Sequence, residues 1–185
     1  MTRIVNRTTA YATPWFELVA KQVAGQSAPF YALRMRDYVS VVALTEDAEL
    51  VLVRQYRPAI ERHTLELPSG MVESDETPAE SAGRELGEEC GFRAQEIELL
   101  GTLVSDTGRN ENRLWCYLAR GLMPMGAGYA PEPGVQRVLL PRTRLRESMI
   151  SGEFDHALNL AAMMLAVARL GPDFLALEVG NVSGR

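Results

Sequence analysis

Short apolar runs separated by polar breaks follow one another along the chain, and their spacing predicts its elements. Trp15 to Val23 and Phe30 to Met35 are rich in strand formers and flank the small-residue stretch AGQSAP, which predicts an N-terminal strand or two outside the main domain. YVSVVAL (Tyr38 to Leu44) and ELVLVRQY (Glu49 to Tyr56) flank the polar turn TEDA, a pattern that predicts a hairpin. In the second of these, a period of two puts Val51, Val53 and Gln55 on one face and Leu50, Leu52, Arg54 and Tyr56 on the other. Further strands are expected near Ile97 to Val104 and Arg113 to Leu118, joined by SDTGRNEN, and at Val135 to Leu140.

Two segments change to helical spacing. Thr77-Pro78-Ala79-Glu80 combines an N-cap threonine, proline at the first helical position and glutamate at the third, which is the capping-box arrangement, and Gly91 supplies a stop. Near the C-terminus, Asp155 is placed to cap a helix through HALNLAAMMLAVARL that ends at Gly171-Pro172. Its leucines and methionines read as core packing.

At 185 residues, with 46% hydrophobic and 23% charged residues, the chain is long enough for one substantial core but short for two full domains. A net charge of -5 argues against nonspecific nucleic-acid binding, so an anionic ligand would need locally placed arginines or metal ions. Cys90 and Cys116 make neither a disulfide framework nor a CxxC site, which fits a reduced, cytoplasmic protein. No apolar run suits a signal peptide or a membrane span.

The charge concentrates in one place. Between Gly70 and Phe92 stand Glu73, Asp75, Glu76, Glu80, Glu85, Glu88 and Glu89. On a helical wheel, Ala79, Ala82, Gly83, Leu86 and Cys90 share one narrow sector suited to close packing, with Glu85 and Glu89 together beside it and Glu88 and Arg84 farther round. A solvated helix face is the plain reading. Yet like charges at i, i+4 cost an isolated helix about 0.2–0.5 kcal/mol, and a divalent cation would reverse that sign.

The fixed positions Gly70, Glu76, Arg84, Glu85, Leu86, Glu88, Glu89, Gly91 and Phe92 resemble the Nudix box in every place. The resemblance implies an α/β fold, an α/β/α sandwich with a mixed sheet, preceded here by an N-terminal β extension over residues 1–36. The Nudix domain would run over 37–175, leaving a tail at 176–185. It further implies metal-dependent hydrolysis, with Mg²⁺ or alternatively Mn²⁺ held by Glu85 and Glu89, Glu88 contributing to a metal or its waters, and the Ser69 carbonyl as a further ligand. Arg84 would orient the glutamates, in a salt bridge with Glu76.

Upstream, QYRP and LELPSG resemble the ADP-ribose pyrophosphatase and nucleoside-diphosphate-sugar hydrolase branch of that family. This implies phosphate contact by Arg57, with Arg54 a second candidate on the opposite strand face, and a homodimer in which the N-terminal segment is exchanged. Trp15, Phe16 or Tyr31 could stack on a base, and Arg109, Glu111 and Asn112 could face a sugar or phosphate. A proline common beyond the box in ADP-ribose pyrophosphatases is missing, since Gly108 and Arg109 stand in its neighbourhood. The substrate expected is therefore ADP-ribose or a nucleotide sugar, cleaved to a nucleoside monophosphate and a sugar phosphate. For the general base the branch points to Glu132 in APEPGVQRVLLP, ahead of Glu111 and a glutamate of the box. His63 and His156 fit no ligand spacing. Two other readings stay open: a nucleotide-sensing module that binds without cleaving, and a nucleoside triphosphate pyrophosphohydrolase.

Overall fold

A computed structural model describes residues 3–175, so the tail expected at 176–185 lies outside the described residues. The elements run β1 (Ile4–Ala12), β2 (Glu17–Val23), β3 (Phe30–Arg34), β4 (Tyr38–Ala43), β5 (Glu49–Arg57), β6 (Arg62–Glu66), β7 (Ser69–Met71) and α1 (Pro78–Cys90). They continue with β8 (Phe92–Val104), β9 (Arg113–Pro124), β10 (Val135–Pro141), α2 (Leu145–Ile150) and α3 (Ala157–Leu170).

Among the described residues three sheets form, in the orders β1-β2-β3, β10-β5-β6 and β7-β4-β9-β8. The last is mixed, because β4 runs parallel to β9, from Tyr38 beside Leu114 to Ala43 beside Ala119, and antiparallel to β7 and β8 runs antiparallel to β9. The period of two in β5 explains the layering. Leu50 and Leu52 enter a core with Ala162, Met163 and Ala166 of α3, whereas Val51 and Val53 enter a second core with Ala82, Leu86 and Cys90 of α1. β4 divides in the same way, Val42 facing the first core and Val39, Val41 and Ala43 the second. The strands are thus buried between α1 and α3, an α/β/α sandwich. Each fully buried leucine or valine contributes about 1.5–3 kcal/mol to holding the layers together.

The expected hairpin between residues 38–44 and 49–56 does not form. β4 and β5 belong to different sheets, linked by a single Leu44–Leu50 bridge at the turn. Because both strands are buried on both faces, tertiary partners outcompete the local one: β9 and β7 flank β4, while β10 and β6 flank β5. The N-terminal region forms three strands rather than one or two, since β1 adds to the edge of β2 despite an almost wholly exposed sequence. This sheet docks through Leu33, whose N–H donates to the Arg109 carbonyl at 2.7 Å and whose carbonyl accepts from the Glu111 N–H at 2.9 Å.

Helix α1 has the capping box its sequence foretells: Thr77 accepts from the Glu80 N–H, and the Glu80 carboxylate accepts from the Thr77 N–H at 2.8 Å. Gly91 ends it in the left-handed region at φ 69°. Ala79, expected on the packed face, is exposed in the first turn, where the helix has not yet reached the sheet. Helix α3 is capped by His156 rather than Asp155, the imidazole accepting from the Asn159 N–H at 3.3 Å. Asp155 instead pairs with Arg62. The strand expected from Ile97 begins at Phe92, immediately after the Gly91 turn.

Candidate active site

Where β7 passes the side of α1, a cavity of about 710 Å³ opens, lined among others by Trp15, Arg57, Glu66, Ser69, Glu85, Glu89, Asn112, Glu132 and His156. That volume lies within the range of about 300–1,000 Å³ usual for small-molecule sites.

Its floor is built from α1. Glu85 and Glu89 are only 8% and 3% exposed, and being one turn apart they project to the same side. The Glu89 carboxylate accepts from the Ser69 N–H at 2.9 Å. That strand segment is itself fixed, since the Ser69 hydroxyl donates to the Leu67 carbonyl at 2.8 Å and the Leu67 N–H donates to the Asn159 side chain at 2.9 Å. Gly70 beside it leaves room for the Glu85 carboxylate where it stands: a Cβ there would lie 1.9 Å from one of its oxygens.

Burial dominates the electrostatics. It pushes the Glu89 carboxyl up to about 8 against the opposing Ser69 hydrogen bond, with the charges of Glu85 and Glu132 adding to the rise. Glu85 is raised as well, again chiefly by burial, although Arg84 opposes the shift.

Arg84 stands behind this floor as a scaffold. Its guanidinium donates to Glu76 at 2.9 Å, to Glu85 at 2.8 Å, to Glu88 at 2.9 Å and to the Met71 carbonyl at 3.2 Å. Glu76 also accepts from Ser81 at 2.6 Å, and these two donors hold its carboxyl below the usual range. Glu88 is turned outward to Arg84, with its side chain 56% exposed, and does not reach the cavity.

Opposite α1, β5 and β6 present an ion pair that sequence reasoning missed. The Arg57 guanidinium donates in bidentate fashion to Glu66 at 2.8 and 2.6 Å, and Glu66 is 2% exposed. Burial alone would raise the Glu66 carboxyl, but Arg57 and the Thr64 hydroxyl outweigh it and hold it low. A buried pair of this kind adds little net stability, yet removing the arginine would strand a buried charge. The available signal was an acid in the apolar-flanked LELP, one strand away from Arg57.

Other expected residues lie elsewhere. Arg54, on the opposite strand face from Arg57, pairs with Glu153 at 2.6 Å outside the cavity. Arg109 is exposed beside Asp106 and does not line the cavity. Glu111 is engaged by Lys21 at 2.7 Å and Arg34 at 3.3 Å, where it fastens the N-terminal sheet. Of the aromatic candidates Trp15 lines the cavity, whereas Phe16 and Tyr31 do not. Asn112 forms part of the wall, with its side-chain oxygen buried and unpartnered. His156 lines the cavity too, as a cap of α3.

Among the described residues, no three His, Cys, Asp or Glu side chains converge on one metal position. The donor set nevertheless fits a hard divalent cation: two buried carboxylates one helical turn apart, both raised chiefly by burial, are what Mg²⁺ takes from protein when substrate phosphates and water supply the rest.

An α/β/α sandwich with paired carboxylates on the helix that crosses it, steadied by an arginine, defines the class. The chain belongs to the NUDIX domain family, whose profile matches residues 34–134, more than half of its length. It is similar to the methanol dehydrogenase activator of Bacillus methanolicus, at 34% identity over 98 residues covering 53% of each chain. With the ADP compounds hydrolase NudE of Escherichia coli it shares 29% identity over 131 residues, covering 70% of this chain and 69% of that one. With an ADP-ribose pyrophosphatase of Bacillus subtilis it shares 32% identity over 84 residues, 45% of each. The chain thus spans about half the length of the first and third of these relatives. A crystal structure of an ADP compounds hydrolase superposes with a TM-score of 0.77 over 91% of this chain and 94% of that one, and at 24% identity this likeness speaks to the fold. No helix among the described residues is long and apolar enough to cross a membrane.

Proposed function

We propose that this protein hydrolyses the diphosphate linkage of ADP-ribose or a nucleoside diphosphate sugar, giving a nucleoside monophosphate and a sugar phosphate. The observation that carries the reading is the meeting of Glu85, Glu89 and Glu132 with Arg57 around one cavity. The names of two relatives, an ADP compounds hydrolase and an ADP-ribose pyrophosphatase, support the substrate class.

Glu85 and Glu89, with the carbonyl of Ser69, a residue that lines the same cavity, would hold Mg²⁺ or Mn²⁺. When bound, such an ion neutralises phosphate charge and acidifies water. Arg57 offers a planar fork to a phosphate, and its pairing with Glu66 fixes the fork's direction before substrate arrives. Glu132, exposed at the cavity rim, accepts the proton of the attacking water. The water oxygen forms a new bond to phosphorus, and the bridging oxygen leaves with the electron pair of the broken bond. Trp15 supplies a flat apolar wall for a base. Arg84 acts through the glutamates it orients.

The test is a chromatographic screen of ADP-ribose, nucleotide sugars, dinucleotides and nucleoside triphosphates with Mg²⁺. Nucleoside monophosphate should appear from the first two classes. Release of pyrophosphate from triphosphates instead would favour the triphosphate pyrophosphohydrolase, and binding without product after long incubation would favour a sensing module.

The same reading includes a homodimer built on the N-terminal sheet. Val5, Tyr11, Phe30 and Tyr31 there are 48–63% exposed, apolar area on this sheet that an exchanged second copy would cover. Light scattering should return twice the mass of one chain, and the monomer mass at micromolar concentration would remove this part of the reading.

A further inference from the structure

The C-terminal end of α1 leaves backbone carbonyls without partners inside the helix. They are taken up by one segment of chain far away in sequence. The Tyr129 hydroxyl donates to the Glu89 carbonyl at 2.9 Å, an Arg137 guanidinium N–H donates to the Cys90 carbonyl at 2.7 Å, and the Met125 N–H donates to the Gly91 carbonyl at 2.9 Å. Arg137 also stacks over the Phe92 ring at 5.1 Å. The Tyr129 ring occupies the space that Gly91 leaves empty, where a Cβ would meet it at 2.7 Å.

Glu132 lies between these anchors. Pro131 and Pro133 flank it, and a proline restricts the residue before it to extended backbone. The Val135 N–H donates to the Glu132 carbonyl at 3.0 Å, closing a turn with Pro133 at its second position and Gly134 at its third, φ 84°. Such a turn requires glycine there. The loop is stiff locally and tied down at both ends, and one of its ties is the backbone of Glu89. That residue gives its side chain to the cavity and its carbonyl to Tyr129.

The geometry assigns Tyr129 as a positioning residue for Glu132: its hydroxyl on the Glu89 carbonyl and its ring over Gly91 set the loop at the distance and angle from α1 that hold Glu132 over the cavity. The assignment rests on Glu132 being the proton acceptor proposed above. Arg137 and Met125 fasten the far and near ends of the same segment, so Tyr129 controls the orientation of the loop rather than its attachment.

The test is a double-mutant cycle of Tyr129→Phe and Glu132→Gln in the full chain, with kcat and KM measured for the substrate that the screen identifies. Phenylalanine keeps the ring over Gly91 and removes only the hydroxyl, so folding should survive, with an unchanged circular dichroism spectrum as the check. Misplacing a catalytic group by about 1 Å costs on the order of 10²-fold, and loss of one of three ties should cost kcat about tenfold with KM within about twofold. In the Glu132→Gln background the same change should have no further effect on kcat, because the group it positions is already gone. An unchanged kcat in Tyr129→Phe, or an equal loss in both backgrounds, overturns the assignment of Tyr129 and leaves Glu132 standing. Wild-type kcat in Glu132→Gln alone sinks both.

Discussion

Glu89→Gln is expected to lower hydrolysis by about 10²-fold or more while making the metal-free protein more stable at pH 8. The two effects share one cause. Glu89 is 3% exposed, and its carboxyl rises from the usual 4.5 to about 8 on folding. Between those values the folded protein keeps a proton that the unfolded chain gives up, so the contribution of Glu89 to stability is complete below pH 4.5 and is lost as pH rises to about 8. Glutamine keeps the shape and carries no charge, so the variant escapes that loss. The gap is on the order of a few kcal/mol at pH 8 and falls below about 1 kcal/mol at pH 5. Melting curves in EDTA at both pH values measure it. Glu85, also raised, is present in both proteins, and its burial shifts both curves in the same direction. Near-wild-type turnover by the glutamine variant would remove Glu89 from the site, and a stability gap independent of pH would refute the burial argument.

Gly70→Ala should separate activity from stability in another way. An alanine Cβ would stand 1.9 Å from one Glu85 carboxylate oxygen and 2.6 Å from the other, too close for either to remain. Because the obstructed group is the end of a flexible side chain, Glu85 can swing aside at modest cost, and the melting temperature should change little. Its carboxylate would then leave the cavity floor. A displacement of that size should cut kcat/KM by about 10²-fold, a loss that raising Mg²⁺ recovers only in part. Full activity in the alanine variant would show that Glu85 has no part in the floor. A melting temperature depressed by tens of degrees would show that the segment from Leu67 to Gly70 is a folding element first.

These two residues mark how far the sequence carries. The capping box from Thr77 to Glu80, the Gly91 stop and the one-turn spacing of Glu85 and Glu89 depend on contacts within a few residues, and all could be read directly. The link of Arg84 to Glu76 was legible through the family signature, and the structure adds Glu85, Glu88 and the Met71 carbonyl to it. The turn TEDA misled because turn chemistry reports that the chain reverses, not which strands then pair. The signal against a simple two-faced hairpin was the near-continuous apolar run in each strand, Val39 to Leu44 broken only by Ser40 and Leu50 to Val53, which reads as burial on both faces. Asp155 and His156 are both able to cap a helix, and the ion pair of Asp155 with Arg62, ninety-three residues away, is tertiary information.

By itself the sequence determined the capped helix, the one-turn spacing of Glu85 and Glu89 and the apolar strands, since each rests on local geometry or period, while Gly70 and Arg84 were legible only through the family signature. Only the tertiary structure decided which distant residues share the cavity. It paired Arg57 with Glu66, turned Glu88, Arg54 and Arg109 away, spent Glu111 on the N-terminal sheet, and placed Glu132 in the lining of the same cavity as Glu85 and Glu89. The elevated Glu85 and Glu89 carboxyls belong to this second kind of fact, because the extent of desolvation depends on everything packed around a group, which its residue type does not reveal.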